Sequence, residues 1–96
     1  MKIQLTVDAE KDIEDIYCYS VSNFGESQAE LYYSGLTEHF TYIVGNPNTG
    51  SNFSFVKENV FRSNYESHAI YYRQNKNEIL ILRVLHQHMD PVRHMS

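Results

Sequence analysis

The hydrophobic period of this chain switches from helical spacing over residues 9–43 to alternation from Glu58 onward, and that change points to a helical layer packed on a sheet. In the first part Ala9, Ile13, Ile16 or Tyr17, Ser20 and Phe24 recur at helical spacing and give one apolar stripe. They predict a helix over residues 9–24, capped by Asp8 and stopped at Gly25, a residue suited to the left-handed C-cap position. Ser27-Gln28-Ala29-Glu30 reads as a capping box, after which Ala29, Tyr32, Tyr33, Leu36, Phe40 and Ile43 continue a second stripe. The short joint makes the two helices a hairpin. Pro47 and its flanking glycines, Gly45 and Gly50, end it, and residues 45–57 are expected to be a loop.

Before the helices, Lys2 to Val7 alternates polar and apolar, so Ile3, Leu5 and Val7 share one face of a short strand. After the loop, Phe61, Ser63 and Tyr65 alternate with Val60, Arg62 and Asn64. Glu66-Ser67 marks a turn, His68 to Arg73 a second strand and residues 74–77 a polar turn. Ile79 to His86 is a continuous apolar run, as expected of a central strand. The order strand, helix, helix, strand, strand, strand implies an α+β fold: an antiparallel meander with the helical hairpin on one face. The other face of the sheet has no obvious cover and is a candidate binding surface.

At 96 residues the chain fits one domain, 1–96, whose modest core leaves room for a partner to add stability. Net charge is −4, divided unevenly: residues 1–60 carry three Lys against nine acids, a balance of −6, and residues 61–96 carry five bases against three acids, a balance of +2. That balance disfavours direct nucleic-acid binding, which draws on cations neutralising phosphates. Asp8, Glu10, Asp12, Glu14 and Asp15 are placed to complement the dipole at the start of the first helix. No apolar run approaches the roughly 20 residues of a membrane span and no signal-peptide core is visible, so the expected location is cytoplasmic, with no membrane partner. The single Cys18 has no disulfide mate and is expected to pack in the helix. His86, His88 and His94 lack the convergent third and fourth ligands of a metal site, so neither metal nor other cofactor is expected.

Four stretches carry a resemblance. Leu5-Thr6-x-x-Ala9 with Asp12-Ile13-x-x-Ile16 comes first, followed by Phe24-Gly25 with Ala29, then Asn46-Pro47-x-x-Gly50. The fourth is the series Phe61-Arg62-Ser63, His68-Ala69-Ile70-Tyr71-Tyr72-Arg73 and Arg83-Val84-Leu85-His86-x-x-Met89-Asp90-x-x-Arg93-His94. In order and spacing the chain resembles ParE-like toxins of the ParE/RelE superfamily. It departs from many of them at Glu66-Ser67, where they place a glycine. The resemblance implies a RelE/ParE-like fold and the toxin of a type II toxin-antitoxin pair, held inactive by a ParD-like antitoxin and inhibiting DNA gyrase by protein binding rather than by catalysis. The RelE branch offers a second reading, a ribosome-dependent mRNA endonuclease with histidines as acid and base. A third is a degenerate toxin that only binds its antitoxin.

Metal-free RNA cleavage needs cations around the scissile phosphate. Only Arg62, Arg73 and Arg83 fall on strands, and alternation puts Arg73 on the face of Ala69 and Tyr71, so the three need not converge. Arg83, beside Ile81 and Leu85, must reach solvent at a groove or meet an acid. The partner-binding candidates are therefore these arginines, the sheet tyrosines Tyr65, Tyr71 and Tyr72, and His86, His88, Asp90 and Arg93 near the C-terminus. Asp90 and Arg93 could equally tie the C-terminal turn to the sheet. For the antitoxin, an amphipathic helix on the hairpin and an extended segment on a sheet edge are expected.

Overall fold

The computed structural model describes residues 1–95. Its elements are β1 (Lys2–Leu5), α1 (Val7–Phe24), α2 (Glu26–Gly45), β2 (Ser51–Asn52), β3 (Phe61–Tyr65), β4 (His68–Asn75), β5 (Glu78–His86) and α3 (Pro91–Met95). The strands form one sheet in the order β1-β5-β4-β3-β2. All pairs are antiparallel except β1 with β5, which run parallel because the helical hairpin carries the chain across the sheet between them. The α+β class and the central position of β5 follow the sequence pattern. The loop expectation over 45–57 needs correcting, since α2 reaches Gly45 and the two residues of β2 extend the sheet along β3.

The helix ends differ from expectation in detail. Thr6, not Asp8, caps α1: its Oγ1 accepts from the Ala9 amide at 3.0 Å. No side chain caps α2, and Ser27 lies inside the helix. One residue joins the helices. The Gly25 amide donates to the Val21 carbonyl, and its own carbonyl accepts from the Ala29 amide. Its φ of 90° and ψ of 165° lie in a region open essentially to glycine alone. A Cβ there would touch nothing, so the cost of Gly25→Ala is pure backbone strain. We expect a loss of about 1–2 kcal/mol, read as a lower midpoint in urea at unchanged slope.

Two apolar layers sandwich the sheet. On the helix side Ala9, Leu36, Phe40 and Ile43 meet Ile70, Tyr72, Ile79, Ile81 and Val84, with Ile13 and Ile16 packed against them. The opposite face is covered after all: Val60, Ala69, Tyr71, Leu85 and Met95 form a second cluster under Phe53 and Val56 of the loop between β2 and β3. Met95 brings α3 down onto this face. Cys18, expected to pack inside, is exposed.

A β-bulge explains why β5 reads as an unbroken apolar run. Tyr71 pairs with Arg83 and Tyr72 with Ile81, so Leu82 is an extra residue and the inward positions shift from Ile79 and Ile81 to Val84 and His86. Strict alternation would put Arg83 on the face of Ile81. The bulge puts it on the face of Tyr71.

The candidate partner-binding site

Register brings the sheet arginines onto one face, against the expectation that they divide. Arg62 pairs across β3 and β4 with Tyr71, and Tyr71 pairs with Arg83, while Arg73 lies two residues along β4 on the same face. Two of the three are hydrogen-bonded within the chain and one is only stacked. The Arg62 guanidinium carbon lies 4.3 Å from the centre of the Phe53 ring while its buried Nε has no hydrogen-bond partner, and Arg73 donates to the Glu58 carbonyl at 2.8 Å. Arg83 wraps the edge of β5 to reach α1, donating to Asp12 through Nε at 2.7 Å and Nη2 at 2.9 Å, and its Nη1 donates to the His94 carbonyl at 2.7 Å.

That ion pair sits where β1 runs out. Beyond Leu5 the edge of β5 would be unpaired, and residues of the Thr6-to-Asp12 segment take over its backbone groups. The Thr6 amide donates to the Ile81 carbonyl, the Thr6 hydroxyl donates to the Leu82 carbonyl at 2.7 Å, and Asp12 Oδ2 accepts from the Val84 amide at 2.9 Å. Asp12 thus satisfies a strand edge and a guanidinium together.

The sheet tyrosines separate. Tyr71 and Tyr72 are 1% and 0% exposed, and the Tyr72 hydroxyl donates to the Pro47 carbonyl at 2.9 Å. These two are core residues, a correction to their place among the partner anchors. Tyr65 is half-buried on the helix side, with its ring 5.3 Å from Tyr32 and 5.7 Å from His39. Gly35 permits this approach, since a Cβ on α2 at that position would collide with the Tyr65 hydroxyl.

Near the C-terminal end of β5, His68 and His86 face each other across the strands with ring centres 5.6 Å apart, and the exposed His88 ring lies 5.1 Å beyond. Tyr32 Oη lies 2.6 Å from His68 Nδ1. Tyr32, His68 and His86 line one end of an open cavity of about 880 Å³ between α1 and the sheet, whose walls include Ile16, Tyr19, Phe24 and Met89, with Asp15 at the rim. Asp90 accepts from the Val92 amide at 3.0 Å, so it ties the C-terminal turn locally, and Arg93 is exposed. Tyr32 and His68 were absent from the sequence candidates. A two-residue turn at Glu66-Ser67 places Tyr65 opposite His68, which was the available signal, but Tyr32 arrives from a helix 36 residues away.

Burial lowers the pKa of His39 and, with the neighbouring His86, that of His68. The unfolded chain therefore binds more protons than the folded one below about pH 6.5. Stability should be full above that value and fall as pH drops through the depressed values. Thermal melts at about pH 7.5 and about pH 5.5 should show this, and His39→Gln with His68→Asn should flatten the difference.

No group of three or more metal-ligating side chains converges among the described residues. What the fold assembles instead is an apolar cavity with a polar end, on a protein whose strand cations are internally engaged. Comparison with known proteins identifies the family. The model of the family described as the ParE toxin of the type II toxin-antitoxin system parDE matches residues 3–91, a span holding both long helices, β2 to β5 and all of β1 but Lys2. The chain belongs to the ParE toxin family. Toxin ParE1 of Caulobacter vibrioides is 31% identical over 88 residues, covering 92% of this chain and 91% of that protein. Toxin ParE1 of Mycobacterium tuberculosis is 28% identical over 88 residues, covering 91% and 90%. Among solved structures, one titled as the chromosomal ParDE TA system from P. aeruginosa superposes with a TM-score of 0.77 at 23% identity, covering 90% of this chain and 95% of that one. At that identity the likeness establishes the shared fold. No helix among the described residues is long and apolar enough to cross a membrane.

Proposed function

We propose that this ParE-family toxin inhibits DNA gyrase by protein binding, without catalysis, in the cytoplasm, and that a ParD-like antitoxin neutralises it. The observation that carries the binding reading is the engagement of Arg62, Arg73 and Arg83 by Phe53, Glu58 and Asp12. A phosphate clamp needs several guanidinium groups free to converge on charge that develops during the reaction, and with Arg73 and Arg83 hydrogen-bonded elsewhere only Arg62, stacked on Phe53, keeps its donors. The cavity walls of Tyr19, Phe24 and Met89 suit desolvated apolar contact instead. Gyrase itself comes from the family resemblance.

The antitoxin reading is supported by surfaces this chain leaves open. The outer edge of β1 and, beyond β2, the outer edge of β3 at Ser63–Tyr65 have no strand partner among the described residues, so an extended segment can add there. Leu31, Tyr33, Tyr19 and Phe24 are exposed on the helical hairpin, where an amphipathic helix can lie. Purified toxin should block gyrase supercoiling and leave messenger RNA intact in a translation reaction. Cleaved message with active gyrase would overturn the proposal in favour of the endonuclease, and inactivity in both assays would leave an antitoxin-binding protein without a poison.

A further inference from the structure

The core on the sheet face away from the hairpin leaves two groups over. The buried Nε of Arg62 has no hydrogen-bond partner, and this arginine makes no ion pair among the described residues. Phe55, in the loop between β2 and β3, is 74% exposed. One ring joins them: the centre of Phe53 lies 4.3 Å from the Arg62 guanidinium carbon and 5.0 Å from the centre of Phe55. Burial stops at Nε, so the outer nitrogens of the guanidinium open to solvent.

The loop holds this array in place. The Phe53 amide donates to the Val60 carbonyl at 2.8 Å, the Val56 amide to the Phe53 carbonyl at 2.9 Å and the Ser54 amide to Asn52 Oδ1 at 2.8 Å, while Phe53 and Val56 pack on the sheet. A guanidinium fixed by stacking keeps its planar fork aimed, and that fork matches a carboxylate through two parallel hydrogen bonds. Such a group has little rotamer freedom left to lose on binding. Leaving a charged donor unpaired is costly to the free protein, and an acceptor brought by a partner removes that cost.

We infer that Arg62, Phe53 and Phe55 form a contact for gyrase, with a carboxylate of the target on the outer edge of Arg62 and an apolar pocket of it around Phe55. The inference rests on the gyrase reading above and adds a charged contact to the apolar one. Local charge favours an acidic occupant: residues 51–65 carry Lys57 and Arg62 against Glu58 alone, in a chain whose residues 7–45 balance −7. Arginine and large aromatic residues are also the types that dominate interface energies. A nucleic acid is a poor occupant, because Arg73 and Arg83 are tied elsewhere and one arginine cannot neutralise a run of phosphates. An antitoxin helix on the hairpin leaves this face of the sheet uncovered.

The test measures inhibition of gyrase supercoiling and, by fluorescence anisotropy without DNA, binding of the labelled full chain to purified gyrase. Phe55→Ala and Arg62→Lys should each raise the half-inhibitory concentration and weaken binding about tenfold, since Lys keeps the charge but not the fork. Val7→Ala, at a side chain 80% exposed, and Lys76→Gln, in the exposed turn before β5, should change neither by more than about twofold. Raising salt from about 0.05 M to about 0.3 M should weaken wild-type binding more than that of Arg62→Gln. Full inhibition by Phe55→Ala, equal losses in the control variants or equal salt sensitivity would overturn the contact while the gyrase proposal stands. A wild-type chain that neither binds nor inhibits gyrase sinks both. Binding only in the presence of DNA, altered self-association alone in sedimentation, or lost antitoxin capture with inhibition unchanged would hand the surface to another occupant and overturn the assignment. Thermal melts check that Phe55→Ala, altered at an exposed position, folds as the wild type does.

Discussion

Asp12→Ala should lower the stability of the chain by about 3 kcal/mol, and Asp12→Asn by less. The carboxylate accepts from two nitrogens of Arg83 and from the Val84 amide, and its side chain and that of Arg83 are only 13% and 21% exposed. Truncation to Ala leaves a guanidinium and a strand amide unsatisfied together, whereas Asn keeps an oxygen for one of them. For a domain of this size, about 3 kcal/mol corresponds to a fall in melting temperature of roughly 12–24 °C. Arg83→Met, which removes the charge and leaves an apolar stem, should cost less than Asp12→Ala because Asp12 can then turn to water and still accept from Val84. If Asp12→Ala and an exposed control such as Glu10→Ala melt together, the ion pair does not organise the edge of β5.

Asp12 also shows what the sequence could and could not convey. Read locally it is one of five acids near the start of a helix, and dipole complementarity accounts for all five equally. Its distinguishing partner lies 71 residues away, and periodicity carries no information about contacts at that range. The helical hairpin was legible because its stripes repeat over many residues, and β3 to β5 because alternation and the turn chemistry of Glu66-Ser67 and Lys76-Asn77 agree. The parallel pairing of β1 was not legible, since a four-residue strand specifies its own face but not its neighbour. Nor was the bulge at Leu82, because in a strand covered on both faces an inserted apolar residue looks like its neighbours. That single residue moved Arg83 to the face of Arg62 and Arg73, so the cations that alternation divides in fact share a face, where Arg73 and Arg83 are hydrogen-bonded and Arg62 stacks on Phe53. Two-residue β2 is too short to leave a periodic trace.

Tyr72→Ala should be more damaging still, at about 4 kcal/mol, and Tyr71→Ala nearly as costly. Both tyrosines are enriched residue types at protein interfaces, which made them reasonable anchors in a strand with an apparently bare face. The bare face is instead closed by Phe53, Val56 and Met95, with the Phe53 and Tyr71 rings 5.8 Å apart, and Tyr72 fills the layer between the sheet and the helices. Its hydroxyl, donated to Pro47, also fixes the turn that delivers the chain from α2 to β2, and Gly50 has no Cβ because one would meet that hydroxyl. Tyr72→Phe isolates the last effect and should cost about 1 kcal/mol, the ordinary worth of a buried hydrogen bond. Tyr33→Ala, by contrast, alters a side chain 46% exposed and should move stability by less than about 0.5 kcal/mol while weakening the proposed antitoxin helix contact. Urea unfolding of the four variants separates the readings: truncating a core tyrosine to Ala lowers the midpoint strongly whether or not a partner is present, and truncating an interface tyrosine lowers it only in the complex. Stable, well-folded Tyr71→Ala and Tyr72→Ala proteins that fail only in partner binding would return both residues to the surface and undo the two-layer core.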